Sequence, residues 1–481
     1  MNKIRLTILV MLFLMFFTYI PAVHAAPKED SIYYIMVDRY VNGSGENDQE
    51  TDIDDENAFH GGDLAGVITQ LDKIKELGFD TINLSPIMQT QSYHGFLTVD
   101  YQKINASFGT DTELKKLMDE AEKRDMNVIL DIVLTHVSPT HDWVNADANY
   151  LNGTTSNQWG EDLPTPDFNE AVVAQYYIET FKYWMNEFGI DGYRVYINEN
   201  TPEDFLTLLE NEVSVQDQEA MLIFDGEVAL EGEQKESYHI NDTIHEAANT
   251  IFSEPGQVLE PLFTSEELLT NDKDILFLDS HMTTRFAHEA IKKGHNPLTR
   301  WKLAWTYLAT IPGVPMIYQG SEVPMDNGES EPDHRMAQLG NADEEMTSHF
   351  EQLAAINEEF EVMSIGDVEV VAHENAMTLY KRASEEETIY IAINNDTTSN
   401  MIPLSGLHED VQLRGLLQDN IVRQQDDGTF RIALDRETAD IFVVENDEGF
   451  NWFFIGFIIV VLGTFVGSVI YLSRKNKSTA S

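Results

Sequence analysis

Short runs of β-forming residues alternate with amphipathic stretches of helical period from residue 31 to about residue 320. The candidate strands are Ser31–Val37, Thr81–Leu84, Asn127–Val133, Gly192–Val195, Met221–Phe224, Ile275–Leu278 and Val314–Tyr318. The helical patterns between them include Val67–Leu77, Thr112–Lys123 and Ala171–Glu187. Strands separated by helices of this length predict a parallel α/β fold, and the number of strands approaches the eight of a (β/α)8 barrel.

Two departures from this alternation predict the domain organisation. Residues 137–168 are polar and rich in Asn, Thr and Pro, which favours a small insertion domain after the third strand. From about residue 366 the chain has strand patterns without long helices, which indicates a separate antiparallel β domain. We therefore predict a barrel domain over residues 26–360 and a C-terminal β domain over residues 361–446.

Both ends of the chain carry apolar runs. Residues 1–25 combine Lys3 and Arg5, an apolar run and a small-x-small site ending at Ala25, as in secretory signal peptides. Residues 452–472 contain no charged side chain, and residues 473–481 form a basic tail. A run of that length can cross a hydrocarbon core of ~30 Å, and basic flanks favour the cytoplasm. This pattern predicts a single-pass cell-membrane protein with a large N-terminal extracellular domain and a cytoplasmic C-terminus.

The net charge and the absence of cysteine indicate which kinds of ligand this chain can bind and where it can work. The formal charge is −53, from 30 basic and 83 acidic residues, and the chain has no cysteine. A polyanionic surface disfavours nucleic acid and leaves neutral ligands such as sugars unpenalised. Without cysteine the exported domain has no disulfide, which suits a large bacterial exoprotein.

Seven ordered motifs resemble those of one enzyme family. They are FHGGDLAGV (59–67), SYHGFLTVDYQKINASFGT (92–110), DIVLTH (131–136), GIDGYR (189–194), FDGEV (224–228), FLDSHMTTRF (277–286) and IPGVPMIYQGSE (311–322). Together they are similar to the motifs of the α-amylase family, glycoside hydrolase family 13. The resemblance implies a (β/α)8 TIM barrel with a small insertion after strand 3, a C-terminal antiparallel β-sandwich domain and a role in carbohydrate metabolism.

The resemblance also assigns site residues. Glu227 falls on the general-acid position, whereas Asp225 before it is interpreted as a supporting or surface group. The implied substrate is an α-glucan or maltooligosaccharide. The residues that match sugar-binding or supporting positions are His94, Phe96, His136, Arg194, His281 and Tyr318.

Two of the family's three acids are replaced. Tyr196 stands at the nucleophile position, two residues after Arg194, and Met282 stands at the third-acid position. Retaining glycosidases use two carboxyl groups, one as nucleophile and one as general acid. A tyrosine nucleophile would need a base, because a phenol has a pKa near ~10. These substitutions predict negligible hydrolysis.

The resemblance further suggests calcium. An oxygen-rich loop is similar to a calcium loop of relatives, and a solvated acidic loop is the alternative interpretation. Its candidate ligands are Asn42, Asn47, Asp48, Gly61 and Asp63. At a second site Asp167 is present, but Thr135 replaces the family's asparagine.

Three functional hypotheses follow. The first is an extracellular, membrane-tethered protein that binds α-glucan or acts as a surface scaffold without hydrolysis. The second is an active α-glucan hydrolase or transglycosylase with atypical catalytic groups. The third is an accessory subunit of a membrane protein. Reducing-sugar release from starch separates the second from the others.

Overall fold

The computed structural model describes residues 31–146, 149–157, 161–226, 237–265, 268, 270–326, 334–447 and 452–478. In the last segment the side chains of residues 456–470 alone are described. The predicted signal peptide and Glu227 lie outside these residues.

A closed barrel of parallel strands forms the centre of the described chain. Eight strands close it in the order β1, β12, β11, β10, β9, β8, β5, β2. These strands are β1 (Ile32–Ile35), β2 (Thr81–Leu84), β5 (Asn127–Val133), β8 (Gly192–Tyr196), β9 (Met221–Asp225), β10 (Tyr238–Ile240), β11 (Asp274–Leu276) and β12 (Val314–Tyr318). The predicted fold class is confirmed.

The strands are apolar on both faces because the barrel buries both. Tyr193 and Val195 of β8 belong to the large core between strands and helices. Arg194 alternates with them and therefore faces the barrel interior, where Ile223 of β9 lies beside it in register. The alternation of β8 thus directs its polar side chains inward.

Helices surround the barrel. They are α1 (Leu64–Glu76), α2 (Asp111–Glu122), α3 (Ala171–Phe188), α4 (Glu203–Gln216), α5 (Asp242–Phe252), α6 (Pro261–Thr264), α7 (Phe286–Lys292), α8 (Pro297–Leu308), α9 (Glu344–Glu359) and α10 (Val362–Ile365). Asp63 caps α1 by accepting from Gly66 N, and Thr110 and Glu113 form a capping box on α2. Local sequence therefore fixes where these two helices begin.

Two antiparallel hairpins extend the connections between barrel elements. The first pairs β3 (Met88–Thr90) with β4 (Thr98–Ile104). The second pairs β6 (Leu151–Ser156) with β7 (Asp162–Pro166) and falls within the predicted insertion of residues 137–168. The domain limits themselves stay a prediction.

The C-terminal domain is antiparallel, as predicted. One sheet has the order β13 (Asp367–Glu374), β14 (Met377–Ala383), β15 (Thr388–Asn394), β20 (Thr438–Asn446), β17 (Val411–Gly415), β18 (Ile421–Arg423). A second pairs β16 (Asn400–Leu404) with β19 (Phe430–Leu434). Side chains of both sheets share one core, which includes Leu379, Phe442 and Ile432.

The apolar run at residues 452–472 was predicted to cross a membrane, and this prediction is corrected. It forms a helix, α11 (Trp452–Ser478). In the part of the chain that the structure describes, no helix is both long and apolar enough to cross a membrane. This finding contradicts the predicted single-pass location with an extracellular domain and a cytoplasmic C-terminus.

The sequence pattern missed the sixth barrel strand. Tyr238–Ile240 is three residues long, and all three are only half-buried. So short a strand gives no periodic signal, and its parallel pairing with β9 and β11 is what defines it.

Candidate functional site

Position 196 lies at the carboxyl end of β8, between two neighbouring strands. Its register partners are Val133 on β5 and Asp225 on β9. One layer below, Arg194 is the partner of Asp131. Side chains on register partners of parallel strands share a face, so these residues meet at one end of the barrel.

Tyr196 is held in place by a buried carboxyl group. Its hydroxyl donates a hydrogen bond to Asp131 Oδ2 at 3.0 Å, and Asn83 Nδ2 donates to Asp131 Oδ1 at 2.8 Å. Burial raises the pKa of Asp131 to about 7, although Arg194 and these two donors lower it. Burial also raises the pKa of Tyr196 well above its usual value. The phenol of Tyr196 therefore stays protonated.

Arg194 is paired with Asp225. Its Nη2 and Nε donate to Asp225 Oδ2 at 2.7 and 2.9 Å. The guanidinium also lies 4.9 Å from the centre of the Tyr34 ring and 5.1 Å from that of Tyr196. A buried guanidinium needs a nearby anion, and Asp225 provides one.

An aromatic cluster covers Tyr196. Phe96 makes an edge contact with Tyr196 at 4.9 Å and stacks on His281 at 5.0 Å between ring centres. His281 is 0% exposed, and neither ring nitrogen has a hydrogen-bond partner within the described residues. Burial lowers the pKa of His281 well below its usual value, so the ring is neutral near pH 7. The structure thus brings together three predicted sugar-site residues, Phe96, Arg194 and His281.

The other two predicted histidines are also buried and neutral. His94 Nδ1 accepts from the backbone N–H of Phe96 at 3.1 Å, and burial lowers the pKa of His94 well below its usual value. His136 Nδ1 lies 2.8 Å from Thr135 Oγ1, and burial lowers the pKa of His136 to about 4. His94 joins the aromatic cluster through Phe96, at 5.7 Å between ring centres.

Met282, which the motif predicts at the third-acid position, is exposed at the surface. Met282 is 38% exposed, and its backbone N–H donates to Ser280 Oγ at 3.1 Å. The nearby carboxyl group, Asp279, is buried, with Oδ2 accepting from Phe286 N and Oδ1 from Ser321 Oγ. Asp279 therefore accepts hydrogen bonds from the start of α7 and from the side chain of Ser321.

Tyr318 lies deeper than its prediction as a sugar-stacking residue implied. It belongs to the apolar cluster inside the barrel, 5.5 Å from the ring of Tyr34. The guanidinium of Arg285 lies 4.2 Å from its ring centre.

The candidate calcium residues are in part engaged by the chain itself. Asp63 Oδ1 accepts from Gly43 N and Gly66 N, and Oδ2 accepts from Ser44 N. Its carboxylate is therefore already engaged by three backbone N–H groups, and its role as a calcium ligand stays a prediction. Asp167 lies on a separate loop after β7 and accepts from Asn169.

The remaining donors of the loop lie close together. Asn42 Nδ2 donates to both oxygens of Asp48, and Gly61 lies against this pair. Asn47 donates to Ser107 O, while its buried Oδ1 has no hydrogen-bond partner within the described residues. Among those residues there is no group of three or more His, Cys, Asp or Glu arranged for a metal.

Known proteins similar to this chain identify its family. The profile described as "Alpha amylase, catalytic domain" matches residues 34–160, and that described as "Alpha-amylase C-terminal domain" matches residues 366–442. The crystal structure of an α-amylase from Anoxybacillus superposes with a TM-score of 0.79 at 34% identity, covering 88% of this chain and 99% of that one. The chain belongs to the α-amylase family.

Further amylases are similar to this chain in structure or in sequence. An α-amylase from Geobacillus thermoleovorans, solved with acarbose, has a TM-score of 0.77 at 30% identity, with 87% of this chain and 98% of that chain covered. The maltogenic α-amylase of Bacillus acidopullulyticus is 27% identical over 78% of this chain and 71% of its own length. The chain spans 38% of the length of a β/α-amylase from Paenibacillus polymyxa, at 23% identity over 86% of this chain.

Sequence reasoning missed the roles of Asp131, Asn83 and Asp225 around this α-amylase-like site. A charged residue inside an apolar strand, as at Asp131 in NVILDIV, was the available signal. Asp225 ends an apolar strand in the same way. The family assignment of Glu227 as general acid stays a prediction, as do the roles of the other site residues.

Proposed function

We propose that the chain is an α-glucan hydrolase or transglycosylase of carbohydrate metabolism that works with atypical catalytic groups. The observation that carries this proposal is His281. His281 is a buried imidazole whose two ring nitrogens have no hydrogen-bond partner in the described chain. Its ring stacks on Phe96 and lies 5.1 Å from the ring of Tyr34, which Arg194 also contacts. A buried polar group without a partner is costly, and a ligand hydroxyl would satisfy it.

The relatives support the choice of substrate and reaction. Those similar to this chain include enzymes named as a maltogenic α-amylase and as cyclomaltodextrinases. Active sites of such barrels lie at the carboxyl ends of the strands, where Arg194, Asp225 and His281 are found.

The test is release of reducing sugar from starch and maltooligosaccharides by the purified chain. We expect release by the wild type and its loss in Glu227→Gln, which removes the general acid that the motif assigns. Equal release by both proteins points to a contaminating amylase and contradicts the proposal.

Sugar binding is measured separately by calorimetry. His281→Phe keeps the ring that stacks on Phe96 but removes both nitrogens, so we expect weaker maltooligosaccharide binding by roughly 10-fold, about the value of one or two hydrogen bonds. His408→Phe, at an exposed position of the C-terminal domain, is the control. Unchanged affinity in His281→Phe removes this residue from the site.

A second candidate is a glucan-binding or surface scaffold protein without hydrolysis. Tyr196 supports it, because a buried phenol hydrogen-bonded to Asp131 stands at the nucleophile position. Met282 supports it too, since no carboxyl group is at the third-acid position. Maltooligosaccharide binding without any reducing-sugar release would establish this candidate over the first.

We further propose that any Ca²⁺ at the first loop is held by Asp48 and Asn47 rather than Asp63. Carboxylate and amide oxygens suit this cation, and Asn47 Oδ1 is buried without a partner in the described chain. Calcium should raise the Tm of the wild type and leave that of Asp48→Asn unchanged. If calcium does not change the Tm of the wild type, the proposal is contradicted.

A further inference from the structure

A carboxylate lies directly beside the position where the family's nucleophile is missing. Tyr196 on β8 and Asp225 on β9 are register partners, and their side chains belong to the same layer at the end of the barrel. Arg194, which the family places beside its nucleophile, forms its ion pair with Asp225. Arg194 on β8 therefore has a carboxylate partner, Asp225, on the neighbouring strand β9.

Asp225 is also accessible on the side that a substrate would need. Both contacts from Arg194 fall on Oδ2. Within the described chain Oδ1 has no hydrogen-bond partner, and the side chain is 18% exposed. One oxygen is thus held by the arginine, and no described residue occupies the other, which can meet a ligand.

Among the described residues, the carboxyl groups of Asp131 and Asp279 are already engaged by the chain itself. Asp131 is 0% exposed, and its two oxygens accept from Asn83 and Tyr196. Both oxygens of Asp279 are engaged by Phe286 and Ser321. The Tyr196 hydroxyl donates a hydrogen bond to Asp131, and burial raises the pKa of this phenol well above its usual value.

We propose that Asp225 supplies the catalytic carboxylate that position 196 lacks. The inference rests on the proposed function and deepens it by naming the nucleophile. The two hydrogen bonds from Arg194 to Oδ2 fix the orientation of Asp225. Because the carboxylate comes from the neighbouring strand, the α-glucan ring would lie closer to β9 than it does when the nucleophile ends β8.

The reaction then follows the retaining scheme of two carboxyl groups. Asp225 Oδ1 attacks C1 of the sugar, the bond from C1 to the glycosidic oxygen breaks, and that oxygen takes the proton of the general acid, assigned by sequence to Glu227. Water next attacks C1, displaces Asp225 and gives a proton back to Glu227. Every bond and proton is accounted for with water as the only co-reactant.

The decisive variant is Asp225→Asn, which keeps an acceptor for Arg194 but is not a nucleophile. We expect kcat on maltooligosaccharides to fall by roughly 10⁴-fold, the scale of losing a member of a catalytic unit, with Kd for the sugar changed far less. Glu199→Gln is the matched control, because it removes an exposed carboxylate just after β8. Its kcat should equal that of the wild type.

A double variant separates catalysis from folding. Tyr196→Asp combined with Asp225→Asn returns the carboxylate to β8, and we expect it to regain part of the kcat that Asp225→Asn loses. Incubation of the wild type with a fluorinated glycosyl fluoride should add one sugar to the peptide that contains Asp225. The product released first should keep the α configuration, as a retaining mechanism requires.

The outcomes distinguish this inference from the proposed function. Turnover by the wild type with an unchanged kcat in Asp225→Asn overturns the role of Asp225 and leaves the hydrolase in place. A label on Tyr196 or Asp131, or inversion at C1, overturns it as well. Absence of turnover in the wild type overturns both.

Discussion

Asp131 links the stability of the barrel to pH through one buried carboxyl group. Burial raises its pKa from 3.8 to about 7, so between these values the folded chain binds the proton more tightly than the unfolded chain. The stabilisation from this proton is complete below pH ~4 and is lost as pH rises to ~7. Unlike a surface acid, Asp131 therefore stabilises the fold in its protonated form.

Asp131→Asn should remove this dependence. We expect the free energy of unfolding to fall less steeply between pH 4 and 7 than in the wild type, by up to ~1.4 kcal/mol per pH unit. Urea unfolding at several pH values measures the slope. Asp217→Asn, an exposed aspartate, is the control and should keep the wild-type slope. Equal slopes in Asp131→Asn and wild type would contradict the pKa assigned to Asp131.

Motif matching assigns residues to positions but does not predict the contacts between their side chains. The motif assigned positions to Tyr196 and Arg194, but it could not show that Arg194 pairs with a residue 31 positions away. Asp225 was interpreted as a supporting or surface group, and its contact with Arg194 depends on the register between two strands.

Helix α2 is stabilised at its start by a reciprocal pair of hydrogen bonds. Thr110 Oγ1 accepts from Glu113 N, and Glu113 Oε2 accepts from Thr110 N at 2.8 Å. The motif that contains Thr110 thus also ends where the helix begins. Two amide groups that α2 itself cannot satisfy are bonded in this way.

Thr110→Ala should lower the free energy of unfolding by about 1 kcal/mol, the usual cost of losing such a cap. Chemical denaturation measures the change. Thr112→Ala, two positions later and exposed, makes the same substitution without touching the cap and should have little effect. A similar cost in both variants would show that the capping box contributes nothing specific.

The sequence predicted the bounds of several barrel strands and helices closely. Strands β2, β5 and β12 have the predicted bounds, and the helices α2 and α3 differ from prediction by one residue at their ends. β10 was missed because three half-buried residues carry no period. Its existence depends on two neighbouring strands that supply its hydrogen bonds.

Buried arginines join the barrel to the C-terminal domain. Arg300 on α8 donates to Phe252 O at 2.6 Å and to Glu437 Oε2 at 3.1 Å, and it also bonds Asn395. Arg382 on β14 reaches Thr310 O at 3.2 Å. These contacts cross the boundary, so the two domains should unfold together.

Arg300→Lys should destabilise the whole molecule. A lysine cannot reproduce three directed bonds, and breaking a buried pair costs about 3 to 5 kcal/mol. We expect a single, earlier transition in urea, followed by both fluorescence and circular dichroism. Arg431→Lys is the control, because its ion pair with Asp427 is half-exposed and contributes ~0 to 1 kcal/mol. Two separate transitions would contradict the coupling of the domains.

The sequence by itself determined the family, the barrel and the antiparallel C-terminal domain. These follow from local signals, because motif spacing and residue period are properties of neighbouring residues. Tertiary structure alone decided that Arg194 pairs with Asp225, that Asp131 holds the phenol of Tyr196, and that Tyr318 lies inside the barrel. Those contacts join residues on different strands, and only closure of the barrel sets the register that brings them within hydrogen-bonding distance.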